Sequence, residues 1–81
     1  MSRVTIYGAP GCCLCDEART VLAGVRATRP FTLEEVDISV DPVLERRYRR
    51  RIPVVAVDGE EAFEYQVEAA ELARRLDTVA G

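Results

Sequence analysis

The chain has 81 residues, 48% of them apolar, with a formal net charge of -3 and neither histidine nor tryptophan. One domain over residues 1–81 is the expectation at this length, with a small real core and no case for disorder. The mild acidity gives no reason to expect nucleic acid, and no apolar run approaches the roughly 20 residues that cross a bilayer, so no membrane is expected either.

The start, Met1-Ser2-Arg3-Val4, reads straight into a strand pattern and not into a signal peptide, which makes a cytoplasmic location the expectation. Arg3 to Tyr7 is predicted as a strand, closed by Gly8-Ala9-Pro10-Gly11. Leu14, Ala18, Val21, Leu22 and Val25 then trace one face of a helix. Asp16 and Glu17 lie in its first turn, and its end falls between Gly24 and Pro30. Phe31 to Ile38 reads as a second strand with Phe31, Leu33 and Val36 inward, completing a βαβ unit.

Asp41-Pro42 is a helix start, a cap residue followed by proline at the first helical position. The helix is expected to run from Val43 to about Arg50, packing by a narrow stripe of Val43, Leu44 and Tyr48. Ile52-Pro53 interrupts it. Val54 to Val57 reads as a buried strand, Asp58-Gly59 as a hairpin turn and Ala62 to Tyr65 as the returning strand. Ala69, Leu72, Ala73 and Leu76 mark a closing amphipathic helix. The order β-α-β-α-β-β-α implies an α/β fold, a mixed four-stranded sheet with helices on both faces.

All three cysteines, Cys12, Cys13 and Cys15, fall within four positions between the first strand and the first helix. A secreted disulfide framework would spread its cysteines to staple distant loops. A C-x-x-C pair in a βαβ context reads as a thiol-disulfide site. At a helix N-terminus, unpaired backbone N–H groups and the dipole favour the thiolate, the form that attacks a disulfide. Cys12 is accordingly the expected nucleophile, and Cys15, one turn on and more buried, the resolving thiol. Cys13 is either an incidental spacer residue or an accessory thiol. The competing reading is a metal or iron–sulfur module. Without histidine its ligands are thiolates alone, and three leave a four-thiolate site incomplete.

Tyr7-Gly8-Ala9-Pro10-Gly11-Cys12-Cys13-Leu14-Cys15-Asp16-Glu17-Ala18 resembles the glutaredoxin active-site segment, and Arg51-Ile52-Pro53-Val54 resembles the segment that carries that family's cis-proline. The resemblance covers essentially the whole chain. It is nearest to the small bacterial glutaredoxin-like branch with a G-C-x-L-C-D-E-A signature. It implies a thioredoxin-like fold and a thiol-disulfide oxidoreductase that needs no cofactor or metal and acts as a monomer. Its substrate would be a disulfide-containing protein or small thiol, with glutathione or a thioredoxin-reductase-type donor supplying electrons. It further implies a cis bond before Pro53 and an Ile52 backbone that offers strand-like hydrogen bonds to substrate. Tyr7 either flanks the pocket or belongs to the sheet core, and Arg46-Arg47-Tyr48-Arg49-Arg50-Arg51 reads either as a solvated run or as one that brings Arg51, next to Ile52-Pro53, near Cys12, where a guanidinium would steady a thiolate or a substrate carboxylate. The resemblance stops short of the glutathione site. Glutaredoxins carry a basic residue where Ala9 stands, and a Gly-Gly where this chain has Glu61-Ala62-Phe63-Glu64-Tyr65-Gln66-Val67.

Overall fold

The computed structural model describes residues 2–80. Its elements are β1 (Arg3–Gly8), α1 (Cys13–Thr28), β2 (Thr32–Asp37), a single 3-10 turn (Ile38–Val40), α2 (Pro42–Tyr48), β3 (Val54–Val57), β4 (Glu60–Glu64) and α3 (Ala69–Ala80). They build one mixed sheet in the order β2-β1-β3-β4. β1 pairs parallel to β2, and antiparallel pairs join β1 to β3 and β3 to β4. This is the mixed four-stranded α/β sheet that the element order implies, and the thioredoxin-like fold that the resemblance implies. Among the described residues no helix is long and apolar enough to cross a membrane.

Side chains alternate across the central strands, so β1 and β3 feed two cores. On one face Val4, Ile6, Val55 and Val57 pack with Ala18, Leu22 and Val25 of α1, Leu72 and Leu76 of α3, and Phe31. On the other, Val54 packs with Ile38 and Tyr48, flanked by Tyr7, Ala9, Leu44 and Ile52. All four residues of β3 are buried, as expected for a strand covered on both sides.

The boundaries differ from expectation where tertiary context decides them. β2 covers Thr32–Asp37, with Phe31 and Ile38 buried just outside it, while Leu33 and Val36 are only half-buried because β2 is an edge strand. α2 stops at Tyr48, and the chain turns through Arg49 and Arg50 as the Arg51 N–H bonds to the Tyr48 carbonyl at 2.7 Å. Leu44 and Tyr48, four apart, share the inner face. Val43 is rotated off that stripe and is 65% exposed. β4 begins at Glu60, not Ala62. Asp58 (φ 51°) and Gly59 (φ 86°) both take the left-handed conformation of a two-residue hairpin turn, so pairing resumes at once. A register shift then leaves Ala62 as the extra residue between Glu61 and Phe63. Tyr65, expected in the strand, lies beyond it at φ 66°.

The Asp41 carboxylate accepts the Val43 N–H at 2.9 Å and the Leu44 N–H at 3.4 Å, capping α2. Asp41→Ala should cost about 1 kcal/mol and lower the melting temperature by about 4–8 °C, while Asp41→Asn keeps most of both. Thermal unfolding followed by circular dichroism checks it. A melt unchanged in the alanine variant would show that the cap contributes nothing.

Candidate active site

β1 delivers the chain to Gly8, and Ala9-Pro10-Gly11 reverses it into α1. Gly11 takes φ 78°, which favours glycine, and the turn closes with the Cys12 N–H donating to the Ala9 carbonyl at 3.4 Å. Cys12 is the N-cap of α1, with extended backbone (φ -84°, ψ 110°). Its sulfur does the work usually done by a serine or aspartate oxygen, accepting the Cys15 N–H at 3.2 Å. It therefore sits at the positive end of the helix dipole, pointed at by a backbone donor.

The three thiols occupy different surroundings. Cys12 is half-exposed, Cys13 exposed and Cys15 fully buried, and all are free. Burial pushes the Cys15 thiol up to about 11, and the neighbouring Cys12 adds to the rise. A hydrogen bond from the Ala9 backbone and the charge of Arg19 act in the opposite direction. Space for the Cys15 sulfur exists because residue 8 has no side chain. A Cβ on Gly8 would lie 2.8 Å from Cys15 Sγ, inside any permitted contact.

Ala9 links these thiols to the other expected site residues. It touches Cys12 through its carbonyl and, like Tyr7 and Ile52, packs against the second core. Tyr7 pairs with Val54 across the sheet, so the segment entering β3 runs beside the end of β1. Pro53 is buried and the Ile52–Pro53 peptide bond is cis. The Tyr7 ring stacks on Tyr48, with centroids 4.5 Å apart and planes at 23°.

Arg51 is engaged by the carboxylates of β4. Its guanidinium bonds Glu64 at 3.0 Å and also pairs with Glu61, and it lies 5.4 Å over the Tyr48 ring. Its charge is thus directed at β4. Arg46, Arg47, Arg49 and Arg50 are exposed, as expected of a solvated run.

Two hollows flank the cysteine turn. One, of about 380 Å³, lies along α1 and is lined by Leu14, Glu17, Ala18, Val21, Tyr65 and Val67. The other, of about 240 Å³, is lined by Gly8, Ala9, Pro10, Arg19, Glu35 and Asp37 among others. Among the described residues no three cysteine or carboxylate side chains converge to hold a metal.

Sequence reasoning missed Gly8, Arg19 and Tyr48 as members of this region. Gly8 was legible only as the end of a strand. Arg19 had one usable signal, its place four residues after Cys15 and hence on the same side of α1. The Tyr48 stack depends on α2 folding back over the sheet, which no local pattern shows.

The glutaredoxin-like domain family matches residues 3–77 of the chain. Among solved structures, protein XcR50 from X. campestris is 32% identical with a TM-score of 0.76, the match covering 93% of this chain and 96% of that one. Protein Ne2328 from Nitrosomonas europaea is 26% identical with a TM-score of 0.80, covering 91% and 89%. A mutant thioredoxin from Halobacterium salinarum, 18% identical over 95% of this chain and 73% of its own, has a TM-score of 0.67 and shares the fold.

Proposed function

The chain belongs to the glutaredoxin-like domain family, whose fold and clustered cysteines fit a thiol redox role, and from that premise we propose that it reduces disulfides by a dithiol mechanism. The Cys12 thiolate attacks one sulfur of the substrate disulfide, forming a mixed disulfide and expelling the first substrate thiolate. Cys15 then gives up its proton and attacks Cys12 Sγ. The Cys12–Cys15 disulfide forms, the second substrate thiolate leaves, and two electrons have passed from protein to substrate. A reduced donor, either glutathione or a thioredoxin-reductase-type protein, restores the dithiol. Tyr7, Ile52 and Pro53 border the substrate, with the Ile52 backbone available to an extended peptide. This cycle balances without Cys13.

One observation carries this reading, the asymmetry of the pair. Cys12 is accessible and receives a backbone hydrogen bond, while Cys15 is buried, pushed up to about 11 and held as the thiol at neutral pH. A buried, protonated partner waits until the first attack is complete, as a resolving cysteine must.

Cys15→Ser tests the assignment. With a protein disulfide as substrate it should accumulate a stable mixed disulfide, and digestion followed by mass spectrometry should find the adduct on Cys12. An adduct on Cys13 alone, or none, defeats the assignment. Turnover with glutathione and with thioredoxin reductase, measured side by side, identifies the donor.

A further inference from the structure

We propose that Arg19 is a positioning residue for the second half of the reaction, a cation fixed beside the buried Cys15 so that its thiolate forms in time to attack the mixed disulfide. This rests on the dithiol reading above and adds to it a residue outside the cysteine turn.

The geometry is specific. Arg19 follows Cys15 by four residues, one turn along α1 on the same side of the helix. Its guanidinium is held from two directions, by Asp16 of the same helix at 2.7 Å and by Glu35 of β2 at 2.5 Å. Both Arg19 and Gly8 line the 240 Å³ hollow, and Gly8 is the backbone against which Cys15 Sγ rests. The cation and the backbone behind the sulfur thus border one hollow.

Among the described residues, Cys12 and Arg19 are the ionisable side chains that act on Cys15. Next to it along the chain are the N-cap Cys12, Asp16 and Glu17, and one turn on is Arg19. On β2 are Glu35, paired with Arg19, and Asp37, turned to the Ser39 N–H at 2.9 Å. β3 contributes Val54-Val55-Ala56-Val57, all apolar. Tyr7 of β1 is stacked on Tyr48. Arg19 is the cation whose field reaches the sulfur, and it acts against the effect of burial. When Cys12 is tied up in a mixed disulfide it no longer carries charge, and the opposing influences on Cys15 reduce to burial against Arg19 and the Ala9 N–H.

The test uses the full chain with Cys13→Ser, so that only Cys12 and Cys15 react, and dithiobis-nitrobenzoate as an aromatic disulfide that releases a coloured thiolate at each step. The first release reports attack by Cys12, and the second reports attack by Cys15. Arg19→Met should leave the first phase unchanged and move the pH midpoint of the second upward. Less thiolate, offset only in part by greater nucleophilicity, slows the second phase at neutral pH. Arg19→Lys, which keeps the charge, should restore most of the rate. A second phase with an unmoved midpoint in Arg19→Met overturns the proposal, as does equal slowing of both phases. Absence of any second phase in the parent overturns the dithiol reading itself, and the role of Arg19 with it.

Discussion

Cys12→Ser is expected to lower disulfide turnover on the order of a thousandfold or more, the scale on which loss of a nucleophile is felt. A serine hydroxyl at the same N-cap still accepts the Cys15 N–H, so α1 keeps its cap and the fold persists. The loss is therefore chemical, because an alcohol at neutral pH does not attack a disulfide. The remaining thiols do not substitute. Cys15 is buried and held protonated, and Cys13, although exposed, is not the residue whose sulfur receives the helix N-terminal hydrogen bond. Turnover of a protein disulfide, measured alongside a thermal melt, separates activity from folding. Retention of even a tenth of the parent rate by a folded Cys12→Ser protein would remove Cys12 from the mechanism.

Gly8→Ala should destabilise the protein by about 1–3 kcal/mol, the usual cost of forcing an extra carbon into a packed site. The added methyl would meet Cys15 Sγ at 2.8 Å and Cys15 Cβ at 3.4 Å, so the sulfur must leave its place against the backbone. The Ala9 hydrogen bond to that sulfur moves with it. The cost thus resides in one pair of residues, which a double-mutant cycle exposes. In a Cys15→Ala background, where no sulfur is present, most of the loss should vanish. Urea unfolding of the four proteins gives the coupling. A penalty of the same size with and without the Cys15 sulfur would show that Gly8 is needed for backbone reasons alone.

Much of the architecture was legible because local chemistry and long-range packing agree here. Asp41-Pro42 starts a helix wherever it lies, Asp58-Gly59 makes a tight hairpin by its own conformational preference, and Leu72 and Leu76 share a face by helical spacing. The cysteine turn was legible for the same reason, since Pro10-Gly11 can only turn and Cys12 falls where a cap is needed. What escaped the sequence depends on residues far apart in the chain. The partners of Arg51 are ten and thirteen residues away and arrive only when the β3–β4 hairpin folds back. The Arg19–Glu35 pair joins a helix to a strand sixteen residues on. The half-burial of Leu33 and Val36 follows from the strand order, which places β2 at an edge and which no single segment encodes. Gly8 is the plainest case, because a missing side chain has no pattern of its own.

The strand order has one more consequence, for how copies of this protein meet. β2 and β4 are both outermost, and each leaves one row of backbone donors and acceptors open to a neighbour. Three of the six residues of β2 are acids (Glu34, Glu35, Asp37), as are three of the five of β4 (Glu60, Glu61, Glu64). A second copy laying either rim along either rim would bring carboxylates face to face, and where these are not already paired with an arginine, like charges opposed across a strand pair repel. The bulge at Ala62 further spoils the straight line that such an addition needs. The same borders that finish the sheet thus discourage it from growing into a fibril, and acid strong enough to neutralise those carboxylates would take that protection away.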